Sequence, residues 1–249
     1  MEDWCLHPSR RPLVQSSTGR HNVATSDDWL GLTSYETVLE RVAVAAHRVG
    51  RSPDNVTVVA VSKTKSVEEI LEVYQLGHRD FGENRAQELA VKAPQLPPDI
   101  RWHFVGALQS NKVRQVRQTT HLLHSMDRPS LASAWLKGIG MPPPVLLQVN
   151  IGDEPQKSGI DVGAVTEVFE RMVIMGLSVR GLMAIPPVSE HPEQSRSHFR
   201  RLREILESIP SQELDLVELS MGMTDDFEVA IEEGASIIRV GRAIFGPRK

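Results

Sequence analysis

The chain has 249 residues, with 28 lysines and arginines against 32 aspartates and glutamates and a formal net charge of −4. A composition 40% hydrophobic and 24% charged can bury a core, which excludes a wholly disordered, collagen-like or coiled-coil chain. The charge balance lacks the basic field of a nucleic-acid binder, no apolar run approaches the roughly 20 residues of a membrane helix, and the single cysteine, Cys5, rules out an intrachain disulfide or a cysteine-based zinc site.

Residues 1–34 carry Arg10-Arg11 with scattered serine and aspartate and no apolar period, which predicts a disordered extension or an upstream start codon. The arginine pair lacks the apolar segment of an export signal, and Glu2, Asp3, Asp27 and Asp28 argue against a transit peptide, so the cytoplasm is the expected compartment. From Tyr35 onward, short β-branched runs alternate with segments of helical period. After an opening helix at about 36–49, strands are predicted at 56–61, 79–81, 102–105, 122–125, 145–150, 179–185, 217–219 and 237–240. Helical segments fall near 67–76, 85–92, 110–118, 129–137, 161–175, 193–208 and 225–233. The first of these opens on a capping box, Ser66 with Glu69. Eight strands separated by helices predict an α/β protein with one (β/α)8 TIM-barrel domain over residues 35–249. The alternative, an open doubly wound sheet, is disfavoured because Ser62-Lys63-Thr64-Lys65 stands where its glycine-rich turn would be.

In a barrel, reactive groups collect at the carboxyl ends of the strands. Strand parity sends Val59, Val61 and Lys63 to one face. If the two valines fill the barrel, Lys63 enters its mouth, where partial desolvation lowers the amine's pKa and suits it to a Schiff base. A plain surface lysine is the competing reading, and Lys65 and Lys157 are the rival amines. After the seventh and eighth strands, Gly222 and Gly241 allow backbone N–H groups to approach an anion, with Ser220 as a hydroxyl donor. Residues 243–245 are expected to form a short extra helix there. Arg239, inside the last strand, needs a buried partner or ligand. Asp225, Asp226 and Glu228 read as caps of the following helix. His103 reads as a hydrogen-bonded core residue, and Lys112, Arg114 and Arg117 as one solvated basic helix face. The histidines lack metal-ligand spacing, so no metal is expected.

Six ordered motifs then carry a resemblance. They are Ala60-Val61-Ser62-Lys63-Thr64, Phe81-Gly82-Glu83-Asn84, Trp102 to Gly106 with Gln109 to Lys112, Gly181 to Pro186, Leu219 to Met223, and Arg239-Val240-Gly241 with Ile244-Phe245-Gly246. From about Tyr35 to its end the chain resembles the pyridoxal phosphate homeostasis proteins, whose barrel is like the alanine racemase N-terminal domain, of pyridoxal phosphate fold type III. The resemblance implies pyridoxal 5′-phosphate held as a Schiff base on Lys63. It also implies phosphate contacts at Ser220, Gly241 and Arg242, Asn84 lining the pocket, and Arg239 facing the pyridine nitrogen. A cation there would disfavour protonation of that nitrogen. The chain departs from the family pattern at Arg85, where many relatives have tyrosine, and at Arg242, where many have serine or threonine.

The function implied is storage, buffering or delivery of the cofactor without turnover, with pyridoxal phosphate-dependent apo-enzymes as conceivable recipients and neither nucleic acid nor membrane as a partner. An amino-acid racemase is the alternative. Racemases of this fold draw a second base, a tyrosine, from a carboxyl-terminal β domain that the sequence to Lys249 does not contain, which also tilts the expectation toward a monomer. The two tyrosines, Tyr35 and Tyr74, both fall in helical segments. A third reading, an aldolase-like barrel with Lys63 attacking substrate directly, fits the lysine and the phosphate loops but not the six motifs.

Overall fold

The computed structural model describes residues 34–154, 158–210 and 216–247. The expected extension over residues 1–34 therefore lies outside the described residues, apart from Ser34. Helix α1 (Ser34–Arg48) precedes the first barrel strand. The chain then runs β1 (Thr57–Val61), α2 (Val67–Gln75), β2 (Asp80–Glu83), α3 (Ala86–Lys92), β3 (Arg101–Phe104), α4 (Val113–Val116), β4 (Thr120–Met126), α5 (Pro129–Leu136) and β5 (Val145–Asn150). It continues through β6 (Ile160–Asp161), α6 (Val165–Ile174), β7 (Val179–Ala184), α7 (Arg196–Ser208), β8 (Glu218–Ser220), α8 (Phe227–Glu232), β9 (Ile237–Val240) and α9 (Arg242–Phe245).

The strands pair in the order β4-β3-β2-β1-β9-β8-β7-β5, and β4 also pairs with β5, which closes the ring. All these pairings are parallel. The result is an eight-stranded (β/α)8 barrel in which every described strand of the ring lies close to its predicted position. The extra strand β6 adds to β5 outside the ring. At two residues it is too short to carry a periodic signal.

Because strand side chains alternate, the apolar residues divide into two layers. Val59, Leu122, Leu146, Met183 and Ile237 fill the barrel interior, with Val61 packed on them. The opposite strand faces, among them Phe81, Phe104 and Leu147, pack with helix residues such as Leu89, Trp135, Phe199 and Phe227. Each such fully buried side chain contributes roughly 1.5–3 kcal/mol by leaving water. This outer layer holds the helices and leaves the strand ends to present polar groups.

Helix α2 starts at the expected capping box: Glu69 N donates to Ser66 Oγ at 3.2 Å and Ser66 N to Glu69 Oε2 at 2.8 Å. The segment at 110–118 is not one basic helix. It breaks into a 3-10 turn, Ser110–Lys112, and the single-turn α4. Arg117 is buried, and it donates to the carbonyls of Trp135 at 2.6 Å, Ile139 at 2.6 Å and Gly140 at 2.8 Å. It thus serves the carbonyl-rich end of α5, where a cation is favoured, instead of facing solvent. Among the described residues no helix is long and apolar enough to cross a membrane.

Candidate functional site

The carboxyl ends of the strands surround a cavity of about 800 Å³, a volume suited to a small-molecule ligand or cofactor. Lys63, Asn84, Asn150, Arg239, Gly241 and Arg242 stand in its wall. Parity delivers Lys63 there as expected, since Val59 and Val61 turn into the barrel. The rival Lys65 points away: its Nζ donates to Phe245 O at 2.8 Å and pairs with Glu69 at 3.2 Å. Lys157 lies outside the described residues.

The turn carrying Lys63 is held on both sides. Lys65 N donates to Ser62 O at 3.0 Å, and Thr64 takes φ +65°, a left-handed conformation that strains a β-branched residue. Thr64 N donates to Glu88 Oε2 at 2.8 Å, and Ser62 Oγ to Glu83 Oε1 at 2.8 Å. Lys92 Nζ joins these groups, donating to Ser62 O at 3.0 Å, Glu83 at 2.7 Å and Glu88 at 3.0 Å. Burial pushes the Glu83 carboxyl above its ordinary range, although Lys92 and Ser62 pull the other way. Two residues of α3, Glu88 and Lys92, therefore clamp the peptides that flank Lys63.

Asn84 follows directly on Glu83, and its Oδ1 is buried without a hydrogen-bond partner. A polar atom left so in a cavity wall marks a place where a ligand donor fits. Its position depends on Gly106, where a Cβ would stand 2.3 Å from Asn84 O. Arg239 projects from the same face as Ile237 and is 4% exposed. One Nη donates to Ser220 O at 2.8 Å and Ser220 Oγ at 2.7 Å, the other to Ala184 O at 3.0 Å. Burial lowers the guanidinium pKa to about 10, so it is a cation at neutral pH.

Ser220 does not reach the cavity wall. It is fully buried behind Arg239, and its Oγ also meets His124 Nδ1 at 2.8 Å. After the seventh-strand motif it is Thr224, four residues on, that brings a hydroxyl to the wall, beside Met223 and Asp225. Gly222 makes this path, with φ +87° and a would-be Cβ only 2.5 Å from Ala230 Cβ. Arg242 stands on the rim paired with Asp225. Of the expected caps, Asp226 is at the N-cap of α8 but accepts from Met223 N at 2.7 Å, and Glu228 pairs with Arg41. Arg85 turns outward toward Glu88 at 3.7 Å. Neither tyrosine is at the cavity: Tyr35 meets His78 Nδ1 at 3.1 Å and Tyr74 donates to Asp99 at 2.8 Å.

A lysine on a braced turn, an unpaired amide oxygen, a buried guanidinium and a glycine-threonine rim thus line one cavity. This donor set fits a phosphorylated aromatic aldehyde, the amine for its carbonyl and the rim for its phosphate. Comparisons with known proteins agree with that chemistry. Residues 35–249 match the family model for the alanine racemase N-terminal domain. A pyridoxal phosphate homeostasis protein of Aquifex aeolicus is 42% identical over 218 residues, covering 85% of this chain and 96% of that one. The protein of that name from Escherichia coli is 39% identical over 220 residues, covering 85% and 94%. Among solved structures, PipY of Synechococcus elongatus with pyridoxal phosphate bound aligns with a TM-score of 0.70 and 34% identity, over 84% of this chain and all of that one. Alanine racemase from Corynebacterium glutamicum shares the fold at 15% identity, with a TM-score of 0.63 over 85% of this chain and 61% of that one. The chain belongs to the pyridoxal phosphate homeostasis protein family, whose barrel is that of the alanine racemase N-terminal domain.

Proposed function

We propose that the protein binds pyridoxal 5′-phosphate through Lys63 and serves intracellular homeostasis of that cofactor, storing, buffering or delivering it without turnover of its own. The observation that carries this reading is the convergence of Lys63, Asn84 and Arg239 on one cavity at the strand ends. When bound, the cofactor would supply an aldehyde reactive toward a primary amine. Lys63 Nζ is that amine, and the bracing of its turn keeps it aimed into the cavity. Asn84 Oδ1 accepts a hydrogen bond from the ligand. Arg239 would face the pyridine nitrogen and, being a cation, would disfavour its protonation, which would weaken the ring as an electron sink. Thr224, Gly241 and Arg242 receive the phosphate, and Ser220 supports Arg239 from behind.

A racemase would need a second base across the ring, and neither Tyr35 nor Tyr74 is placed to act as one. The cytoplasm is the proposed compartment and the monomer the proposed state, with pyridoxal phosphate-dependent apo-enzymes as recipients. The test is an absorbance titration with pyridoxal phosphate, followed by borohydride reduction and peptide mapping. The expected result is a Schiff-base band and reduced cofactor on Lys63; label elsewhere, or none, removes the reading. Lys63→Ala is expected to lose the covalent band while retaining weak binding at the phosphate rim.

A further inference from the structure

Behind Arg239 a line of polar side chains crosses the apolar barrel interior. Arg239 Nη donates to Ser220 Oγ at 2.7 Å, and Ser220 Oγ meets His124 Nδ1 at 2.8 Å. His124 Nε2 lies 2.9 Å from His103 Nδ1, and His103 Nε2 lies 3.1 Å from Asp80 Oδ1. Asp80 is in turn gripped by Arg101, whose Nε donates to Oδ1 at 2.7 Å. Ser220 and His124 are fully buried and His103 is 3% exposed. Five strands contribute: β9, β8, β4, β3 and β2. The line runs from the cavity at the carboxyl ends to Asp80, the first residue of β2, at the opposite end of the barrel.

The two ends dictate the direction of every proton between them. A guanidinium can only donate and a carboxylate can only accept, whereas a hydroxyl and a neutral imidazole each do one of both. Asp80 requires a proton on His103 Nε2, leaving His103 Nδ1 as an acceptor. That requires a proton on His124 Nε2, leaving His124 Nδ1 as an acceptor for the hydroxyl proton of Ser220. The Ser220 oxygen then turns its lone pairs to Arg239. Each proton has one acceptor only if both rings are neutral and share the same tautomer. We propose that Ser220, His124, His103 and Asp80 form a one-directional hydrogen-bond chain that positions Arg239 in the cavity wall, with both imidazoles neutral and protonated on Nε2.

The groups facing the two rings are consistent with this direction. His121 stacks edge-on to His103 at 5.7 Å, and His124 lies between His103 and the Arg239 cation. Burial holds the His124 imidazole well below its ordinary pKa. A proton added to His124 would place a second cation against Arg239 and turn Nδ1 into a donor, displacing the Ser220 proton from its acceptor. Asp80, remote from the cavity, thereby acts on the orientation of Arg239 through three intervening side chains. Ser220 is a positioning residue in this arrangement and has no hydrogen left to donate to a phosphate.

The role of Arg239 toward a cofactor rests on the function proposed above, but the chain can be tested without any ligand. In a long-range proton–nitrogen correlation spectrum of the full chain, with no cofactor added, His103 and His124 are each expected to show a protonated Nε2 and a bare Nδ1 at pH 7. A proton on Nδ1, or on both nitrogens, of either ring overturns the proposal. Asp80→Ala removes the fixed acceptor, so His124, which Asp80 does not touch, is expected to lose its single-tautomer pattern; an unchanged pattern means Asp80 does not set the direction. Ser220→Ala, in protein loaded with pyridoxal phosphate, is expected to shift the absorbance maximum of the bound cofactor, with recovery in Ser220→Thr. A loaded spectrum that ignores Ser220→Ala refutes the positioning of Arg239. Failure of the wild-type chain to take up pyridoxal phosphate would instead refute the proposed function and leave the tautomer result standing.

Discussion

Gly106 and Asn84 approach so closely that the site depends on a missing methyl group. A Cβ at position 106 would stand 2.3 Å from Asn84 O and 2.8 Å from its Cα, and backbone cannot rotate aside as a side chain does. Gly106→Ala is therefore expected to destabilise the protein by about 1–3 kcal/mol, the usual range for overpacking. It should also weaken pyridoxal phosphate binding, because the displaced residue carries the unpaired Oδ1. Denaturant midpoints and a cofactor titration read the two effects separately. Lys92 matters in another way, since among the described residues it is the cation paired with the fully buried Glu83 carboxylate. Lys92→Met leaves that carboxyl without its cation, a change expected to lower stability by about 3–5 kcal/mol at neutral pH. Burial already raises the Glu83 pKa, so the defect should shrink at acid pH, where Glu83 is neutral. Equal losses at pH 5 and pH 8 would show that Glu83 is not the group left uncompensated.

At the scale of elements, α2 begins directly after the Lys63 turn, and its first hydrogen bonds come from the Ser66 and Glu69 capping box. Ser66→Ala removes the acceptor for Glu69 N and is expected to lower stability by about 1 kcal/mol, measured by chemical denaturation. Because the Lys63 turn is held from α3 through Glu88 and Lys92, cofactor affinity should change little. Such elements were readable because their signals are local. β-branched runs marked the strands, and the parity of Val59, Val61 and Lys63 marked what faces inward. What escaped depends on distant partners. Arg117 looks like a surface cation until the carbonyls at the end of α5 surround it. Thr224 reaches the cavity only because Gly222 redirects the chain, and the same bend leaves Ser220 inside the barrel. The His103–His124 contact joins adjacent strands β3 and β4 whose register shifts between Trp102 and His103. No spacing along one strand could reveal that contact.

For the whole molecule, the polar line through the barrel couples folding to protons. Burial places the His124 pKa far below its ordinary value and also lowers that of His78, whereas both rings titrate near 6.5 in the unfolded chain. Below about pH 6.5 the unfolded chain thus takes up protons that these two native rings refuse, so their contribution to stability falls as pH falls. Each such group contributes a slope of at most about 1.4 kcal/mol per pH unit. Asp80, held low by His103 and Arg101 against the effect of its burial, adds to the loss only in more acidic solution, where the unfolded carboxylate begins to protonate. Glu83 acts in the opposite sense, since its raised pKa means that the native state holds a proton the unfolded chain releases. Glu83 therefore offsets part of the histidine contribution, and the informative quantity is a difference in slope. His124→Leu removes one refusing group without touching Glu83, so its stability should depend less steeply on pH over that interval than that of the parent protein. Denaturation midpoints at pH 5, 6 and 7 for both proteins measure this directly. Parallel curves would mean that His124 is protonated to the same degree in the folded and unfolded chains, contrary to its burial at the centre of the barrel.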